Sequence, residues 1–524
     1  MKVNDKSVSL EVEAFEDIPY PSMPYAITQP SRLAAVASLY AIQSAAVETA
    51  RVLELGCASG GNLIPLAARF PASRFLGVDI GRRHIEDGQS RIGELGLTNI
   101  RLQHADISEL SFAPNTFDYI ICHGVFSWVL GAVQNAIFRI CRESLSENGV
   151  AAISYNVLPG WHLRNAVRAI CLRHTGQDES PRQRAASVRA ILDDIAYSSS
   201  DADPYGLLLR QEAKRIAHRP ASYILGEFLA DTNAPLHVED FLSRARGSGL
   251  DYIGEADLDA AVPEIFRPEL QSRLQRYGGD QSDARERYID LFTGRTFRTS
   301  LLVQAGARRT RARNHGQFRA LHFSANIRVD PANGGFLDEK GRAIRAKHAS
   351  VQHALDTLAQ TYPCTRTFLQ LLGEGGRQDE AQLIEALALL TAVGQVDIST
   401  TALTTGRAED AKPVASQLAR IEAASGQPWI TGLHHRPVGV PPAARLLLPH
   451  LTGASDRSRL LQVLVETLRS GSLQATDDDH LTGFDPDERA ARCLNRALTY
   501  LAANALLTPS AVEQLQLVGA RQAK

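Results

Sequence analysis

Apolar positions recur along this chain in two rhythms, and the change between them divides it. Short continuous apolar runs stand at 52–55, 75–79, 99–104, 117–122 and 149–155, separated by stretches long enough for a helix. Such runs predict strands buried on both faces. Strands alternating with helices predict an α/β, doubly wound sheet whose ligand lies beyond the carboxyl ends of the strands. From about 185 to 281 the spacing becomes helical, with Leu207, Leu208, Ile216, Ile224, Phe228, Leu229, Phe241, Leu242 and Leu250 on the apolar side. Residues 297–303 are strand-like again. Further on, 318–327 is strand-like and 336–344 predicts a hairpin with a polar turn. Helical patterns at 350–362, 365–373 and 379–393 then lead to a short strand at 396–399, a winged-helix-like order. A polar stretch at 400–413 predicts a linker, and 446–451, 457–470 and 487–507 are mostly helical.

The densest chemistry lies where the first strand ends. Glu54-Leu55-Gly56-Cys57-Ala58-Ser59-Gly60-Gly61-Asn62 is a turn in which backbone can approach a ligand closely. A helix is expected to begin near Asn62, where unpaired first-turn N–H groups suit a carboxylate or phosphate and Pro65 is tolerated. Roughly twenty residues on, Asp79 ends the second strand beside Ile80, placed to accept from both ribose hydroxyls. The pattern fits S-adenosylmethionine and, more loosely, NAD. A dinucleotide turn wants G-x-G-x-x-G, and Ala58 stands here where its second glycine would be. Asp106 and Ile107, at the end of the third strand, could face an adenine amino group and ring, or Asp106 could simply cap a helix. His123-Gly124 follows the fourth strand and Tyr155-Asn156 ends the fifth.

Composition narrows the setting. The chain has 524 residues, 44% of them hydrophobic, enough for three or four cored domains. A net charge of −2 argues against a general grip on nucleic acid or an anionic membrane. The basic stretch 308–313 could touch phosphates, but a solvated linker is the favoured reading. Six cysteines without C-x-x-C spacing predict reduced, separately buried thiols and no metal site. The acidic segment 1–17 has no signal-peptide pattern, and no run of eighteen apolar residues occurs; a cytoplasmic enzyme without stable membrane association is expected.

The segments Tyr20-Pro-Ser-Met-Pro-Tyr25, Glu54 to Pro65, His123-Gly-Val-Phe-Ser-Trp128, Ser154-Tyr-Asn-Val-Leu-Pro-Gly-Trp161, Tyr223-Ile-Leu-Gly-Glu-Phe-Leu and Arg295-Thr-Phe-Arg-Thr-Ser-Leu-Leu-Val303 together resemble one bacterial family. It is the class I methyltransferases with a methyltransferase regulatory domain, including the rickettsial lysine methyltransferases of outer-membrane protein. The resemblance covers about the first 305 residues well and the rest loosely. One departure is Ala58-Ser59, where relatives usually carry Gly or Asp.

The resemblance implies a Rossmann-like class I methyltransferase sheet interrupted by an inserted helical domain, with two further strands after the fifth helix. The expected partition is a lid segment at 1–25, the methyltransferase core at 26–177, a helical regulatory domain at 178–284 and the last sheet strands at 285–305. A winged-helix-like domain at 306–400, a linker at 401–440 and a helical domain at 441–524 follow. The expected cofactor is S-adenosyl-L-methionine, held by Glu54, Gly56, Cys57, Gly60, Asn62, Asp79, Ile80, Asp106, Ile107, His123 and Tyr25. The likeliest acceptor by resemblance is a lysine of a protein substrate, one met before export if it is an exported protein; a metabolite, lipid or RNA acceptor, or a non-enzymatic sensor of the cofactor, stands as the alternative. A homodimer is compatible, and nucleic acid is not the expected partner. A lysine amine, of pKa about 10.4, must lose its proton and its water before it attacks. Candidates for that work are His123, Tyr155, Asn156, Tyr20 and Trp128. For Phe126 and Trp161 packing is the favoured role.

Overall fold

The structure, a computed structural model, describes residues 18, 20–176, 179–200, 203–258, 268–278, 282–307, 309–310, 313–332, 334–471 and 485–510. The acidic segment 1–17 and Arg308, Arg311 and Ala312 of the basic stretch lie outside them. The chain divides into two compact units, Met1–Ser22 with Val36–Arg313, and Met23–Ala35 with Asn314–Lys524.

The first unit is built on seven strands: β1 (Arg51–Leu55), β2 (Arg74–Asp79), β3 (Ile100–His104), β4 (Phe117–Cys122), β5 (Leu145–Asn156), β6 (Leu250–Glu255) and β7 (Phe297–Gln304). Their order is β3-β2-β1-β4-β5-β7-β6. The first five are parallel, and β7 runs antiparallel between β5 and β6. Burial on both faces explains the apolar runs: all six residues of β4 are buried, as are the last eight of β5. Helices α1 (Leu63–Arg69), α2 (Arg82–Leu95) and α3 (Gly131–Ser144) connect the parallel strands.

Between β5 and β7 lie α4 (Trp161–His174), α5 (Pro181–Ser198), α6 (Pro204–Ala217), a π-helical turn at Leu225–Leu229, α7 (Val238–Gly247), β6, α8 (Pro268–Gly278) and α9 (Ser282–Thr293). The helical insert expected from the sequence is there, but it holds a sheet strand. Residues 250–255 read as helical because Leu250 continues the spacing of Phe241 and Leu242. Pairing with β7 overrides that local signal.

β6, β7 and α9 are joined by a buried ionic cluster. Arg298 is wholly buried and donates to Glu255 of β6 at 2.8 Å and to Glu286 and Asp290 of α9 at 2.9 and 2.8 Å. Glu255 also accepts from Tyr252 and Ser300. Where it is described the basic stretch is exposed at Arg309 and Thr310 yet tied to the fold: Arg309 pairs with Asp251 at 3.0 Å, and the half-buried Arg313 donates to the Tyr40 hydroxyl at 3.0 Å.

In the second unit, Ile327–Asp330, Gly335–Asp338 and Ala343–Ile344 form an antiparallel sheet. A second sheet joins His322–Ser324, Arg366–Thr367 and Asp397–Ser399, accompanied by helices Ala349–Thr361, Phe368–Leu372 and Arg377–Ala392. The expectation of a linker at 401–440 needs correction. That stretch contains strands Val414–Ala415, Ile430–Thr431 and Pro437–Val438 and helix Gln417–Ala424. Ala415, Ala419, Ala423 and Ile430 enter one core with Leu447, Leu464, Leu498 and Leu507, and the buried Glu422 carboxylate accepts from the Thr431 N–H and hydroxyl. Strands two residues long carry no period for a sequence to display.

Candidate active site

The turn after β1 is fastened to the end of β2. The N–H groups of Gly56 and Cys57 both donate to the Val78 carbonyl, at 2.8 and 3.0 Å. Gly56 has φ +76°, and a Cβ there would stand 2.3 Å from Val125 Cγ2, so only glycine fits. Ala58 also adopts a left-handed conformation, φ 45°, which costs a residue with a Cβ about 1–2 kcal/mol. Asp79 holds it there: one carboxylate oxygen accepts from Ala58 N–H at 2.8 Å, the other from Gly81 N–H at 2.8 Å. The departure at Ala58 noted in the sequence is therefore a strained position pinned by the acid expected at the ribose.

Glu54, 4% exposed, accepts through Oε1 from Asn62 Nδ2 at 2.8 Å, while Oε2 is buried with no hydrogen-bond partner among the described residues. Burial pushes its carboxyl up to about 8, against the opposing Asn62 hydrogen bond. A buried carboxyl with one orphaned oxygen beside a Gly-rich turn is a place for a ligand cation, whose charge would displace the proton that burial favours. Ile80, 45% exposed, offers an apolar surface next to Asp79.

Other expected cofactor residues have contacts of their own within the protein. The Cys57 thiol lies against Gly77, where a Cβ would meet Sγ at 2.7 Å, and burial raises it well above the ordinary thiol range. Cys57 thus offers its backbone alone. Ile107 is packed in the sheet's apolar core. Asp106 caps a short turn, accepting from Ser108 N–H and hydroxyl at 2.7 and 2.8 Å through a single oxygen. Tyr25 falls in the second compact unit, where its carbonyl accepts from Thr28.

At the carboxyl ends of β4 and β5 the residues sort by face. Tyr155 corrects the sequence expectation: it is 1% exposed, its ring stacked on Phe241 of α7 at 3.9 Å and its hydroxyl 3.2 Å from Ser300. Strand alternation sends it to the face opposite Ser154 and Asn156. Ser154 accepts from Gly124 N–H at 2.7 Å, and Asn156 donates to Asn233 Oδ1 at 3.2 Å. Tyr155→Phe is accordingly expected to lower unfolding stability by about 1 kcal/mol, the worth of one neutral hydrogen bond, with methyl transfer within about twofold. A denaturant melt and a turnover assay test this, and a tenfold loss of turnover would return Tyr155 to the site.

His123 packs edge-on to Phe297 at 5.7 Å, and desolvation lowers its imidazole to about 4. Phe297, at the start of β7 opposite Asn156 and 38% exposed, is a candidate site residue that sequence reasoning missed. The only sequence signal for it was its place in the Arg295 to Val303 block. Trp128 meets the buried Trp161 at 6.1 Å, and the Arg164 guanidinium covers the Trp161 ring at 4.3 Å while pairing with Glu227 at 3.4 Å. Gly160 lets α4 start there, since a Cβ would strike the Gly294 and Arg295 carbonyls at 2.2 and 2.3 Å. Tyr20 lies against Gly226 of the π-helical turn, 3.4 Å from where a Cβ would stand. Phe126 is buried among Phe138, Tyr155 and Phe241.

A β3-β2-β1-β4-β5-β7-β6 sheet with an antiparallel β7, a Gly-rich turn after β1 and an acid ending β2 define a class I methyltransferase, whose methyl donor is S-adenosylmethionine. The orphaned Glu54 oxygen suits the donor's ammonium and the Asp79–Ile80 edge its nucleoside. Residues 52–149 match the methyltransferase domain family, 220–304 the predicted methyltransferase regulatory domain, and 411–506 the PKMT C-terminal winged helix domain. That last match falls beyond 306–400, where a winged-helix order was expected.

The uncharacterised protein RP028 of Rickettsia prowazekii is 34% identical over 234 residues, covering 44% of this chain and 94% of that protein. The uncharacterised RP789 of the same organism is 29% identical over 494 residues, covering 90% and 89%. The structure of PKMT2 from Rickettsia typhi in complex with AdoHcy superposes with a TM-score of 0.83 at 28% identity, covering 93% of this chain and 100% of that one. The chain belongs to the S-adenosylmethionine-dependent methyltransferases that carry a methyltransferase regulatory domain and a PKMT-type winged helix.

Proposed function

We propose that this methyltransferase acts on a protein, and that its acceptor is a lysine side-chain nitrogen. The observation that carries the reading is the likeness to PKMT2 over the whole of that chain, winged helix included. The donor supplies a methyl group already activated on a sulfonium, so what falls to the protein is to align the amine, strip its water and let its proton go.

Four groups, beyond the end of β4, at the end of β5 and at the start of β7, suit that work. Trp128 and Phe297 offer aromatic surface, which tolerates a neutral amine and stabilises a methylated ammonium. Asn156, whose amide nitrogen is committed to Asn233, keeps its amide oxygen as an acceptor for the amine N–H. His123 is a positioning residue in this scheme. With its imidazole lowered to about 4 by burial, it is neutral at pH 7 and too weak a base for an ammonium of pKa about 10.4. The amine instead arrives at the pocket in the fraction that is already deprotonated.

The sign of the pH dependence follows. The rate constant kcat/KM is expected to rise steadily from pH 6 to 9 as the acceptor loses its proton, with no inflection near 6.5. His123→Gln is expected to lower kcat by about tenfold, less than the 10²–10⁴ of a lost general base, and to leave the pH profile unchanged in shape. An inflection between pH 6 and 7 that vanishes in His123→Gln would overturn the positioning role. The substrate class is tested by incubating the protein with labelled S-adenosylmethionine and lysate, followed by mass spectrometry of peptides. Methyl-lysine is the expected product; label confined to RNA, lipid or small molecules would overturn the proposal.

A further inference from the structure

Two neighbouring residues of the Gly-rich turn each hold a group whose remaining valence points to a ligand. Gly61 N–H donates to Ser22 Oγ at 2.7 Å. Asn62 Nδ2 donates to Glu54 Oε1 at 2.8 Å. What these bonds leave over is opposite in character. Glu54 retains a buried acceptor oxygen without a partner among the described residues. Ser22 uses its oxygen as an acceptor and retains its hydroxyl proton, since a hydroxyl that accepts can still donate. The Gly61 amide is also closed to any arriving anion, because Ser22 already occupies it. An anion at that end of the turn therefore meets the Ser22 hydroxyl, polarised by the amide behind it.

A donor and an acceptor anchored on consecutive residues match a ligand with a carboxylate and an ammonium on one carbon. We propose that Ser22 is a cofactor ligand, its hydroxyl donating to the α-carboxylate of the methionine moiety while Glu54 receives the α-ammonium. The proposal rests on the assignment of S-adenosylmethionine as donor. It gives the amino-terminal lead a definite role, in which carboxylate recognition comes from a segment outside the sheet, 39 residues before the amide that fixes it. Two residues before Ser22, Tyr20 lies against Gly226 of the π-helical turn, which gives the strap a second point of attachment. π-helical turns recur at functional sites.

The competing role for Ser22 is a fastener that merely holds the turn in shape. Binding of two probes to the full chain separates the roles by calorimetry: S-adenosylmethionine, and decarboxylated S-adenosylmethionine, which lacks only the carboxylate. Ser22→Ala is expected to weaken S-adenosylmethionine about tenfold or more, the loss of a hydrogen bond to a charged group, and to change the decarboxylated probe by less than twofold. Ser22→Thr, which keeps the hydroxyl, is expected to bind both within about threefold of the unaltered chain. Equal weakening of both probes in Ser22→Ala, or no weakening of either, would overturn the proposal. Failure of the unaltered chain to bind S-adenosylmethionine would overturn the donor assignment itself and the proposal with it.

Discussion

Asp79→Ala is expected to weaken S-adenosylhomocysteine binding by at least tenfold, and nearer a hundredfold, in titration calorimetry. Loss of a charged acceptor facing ribose hydroxyls accounts for roughly 1.5–3 kcal/mol, which is tenfold to more than a hundredfold. The structure adds a second loss. The Asp79 oxygens hold the Ala58 and Gly81 amides, and Ala58 sits at a positive φ that a side chain disfavours. Without the carboxylate nothing offsets that strain, so the turn relaxes away from the shape that receives the nucleoside. Asp79→Asn is expected not to restore binding, because a carboxamide has one acceptor oxygen for two N–H groups. Unchanged affinity in Asp79→Ala would remove the nucleoside from this end of the sheet.

Arg298→Met is expected to cost about 3–5 kcal/mol of unfolding free energy, the usual consequence of leaving buried charges without their partner. The side chain itself is fully buried, and three carboxylates converge on it: Glu255, Glu286 and Asp290. Even beside this guanidinium, burial pushes the 1% exposed Asp290 carboxyl up to about 6. Arg469→Met provides the contrast. Arg469 and Asp487 are 63% and 59% exposed in their pair, and surface pairs contribute at most about 1 kcal/mol. Guanidinium unfolding of the two variants tests the difference, and a loss below 1 kcal/mol in Arg298→Met would mean the cluster is hydrated or easily repacked.

The Gly-rich turn and the acid that pins it were legible in the sequence because they are local. Strand, turn and acid lie within about thirty residues, and the glycines are there for steric reasons that survive any surroundings. The acceptor half depends on pairings that sequence does not display. Phe297 reaches the site only because β7 lies antiparallel to β5, placing it opposite Asn156. Tyr155 could have been excluded on strand alternation alone, since one face of β5 carries Ser154 and Asn156 and the other carries Tyr155. Its chemistry suited the reaction, but its face did not. β6 was hidden inside a helical pattern because six residues of mixed character resemble a helix end when their partner strand lies more than forty positions away. Ser22 stands inside a recognisable motif without a role of its own, since one hydroxyl in a Pro-rich lead means nothing until the amide it meets is known.

The placement of β7 also bears on how the chain is made. Synthesis delivers β1 to β5 first, and the strand that covers the free edge of β5 ends only at Gln304, almost 150 residues later. Until then a nascent sheet exposes an edge whose residues 149–156 are all buried in the finished protein. Unpaired apolar edges of this kind recruit neighbouring chains. The insert therefore sets a delay as well as a shape, since the edge of β5 stays open until β7 has been made.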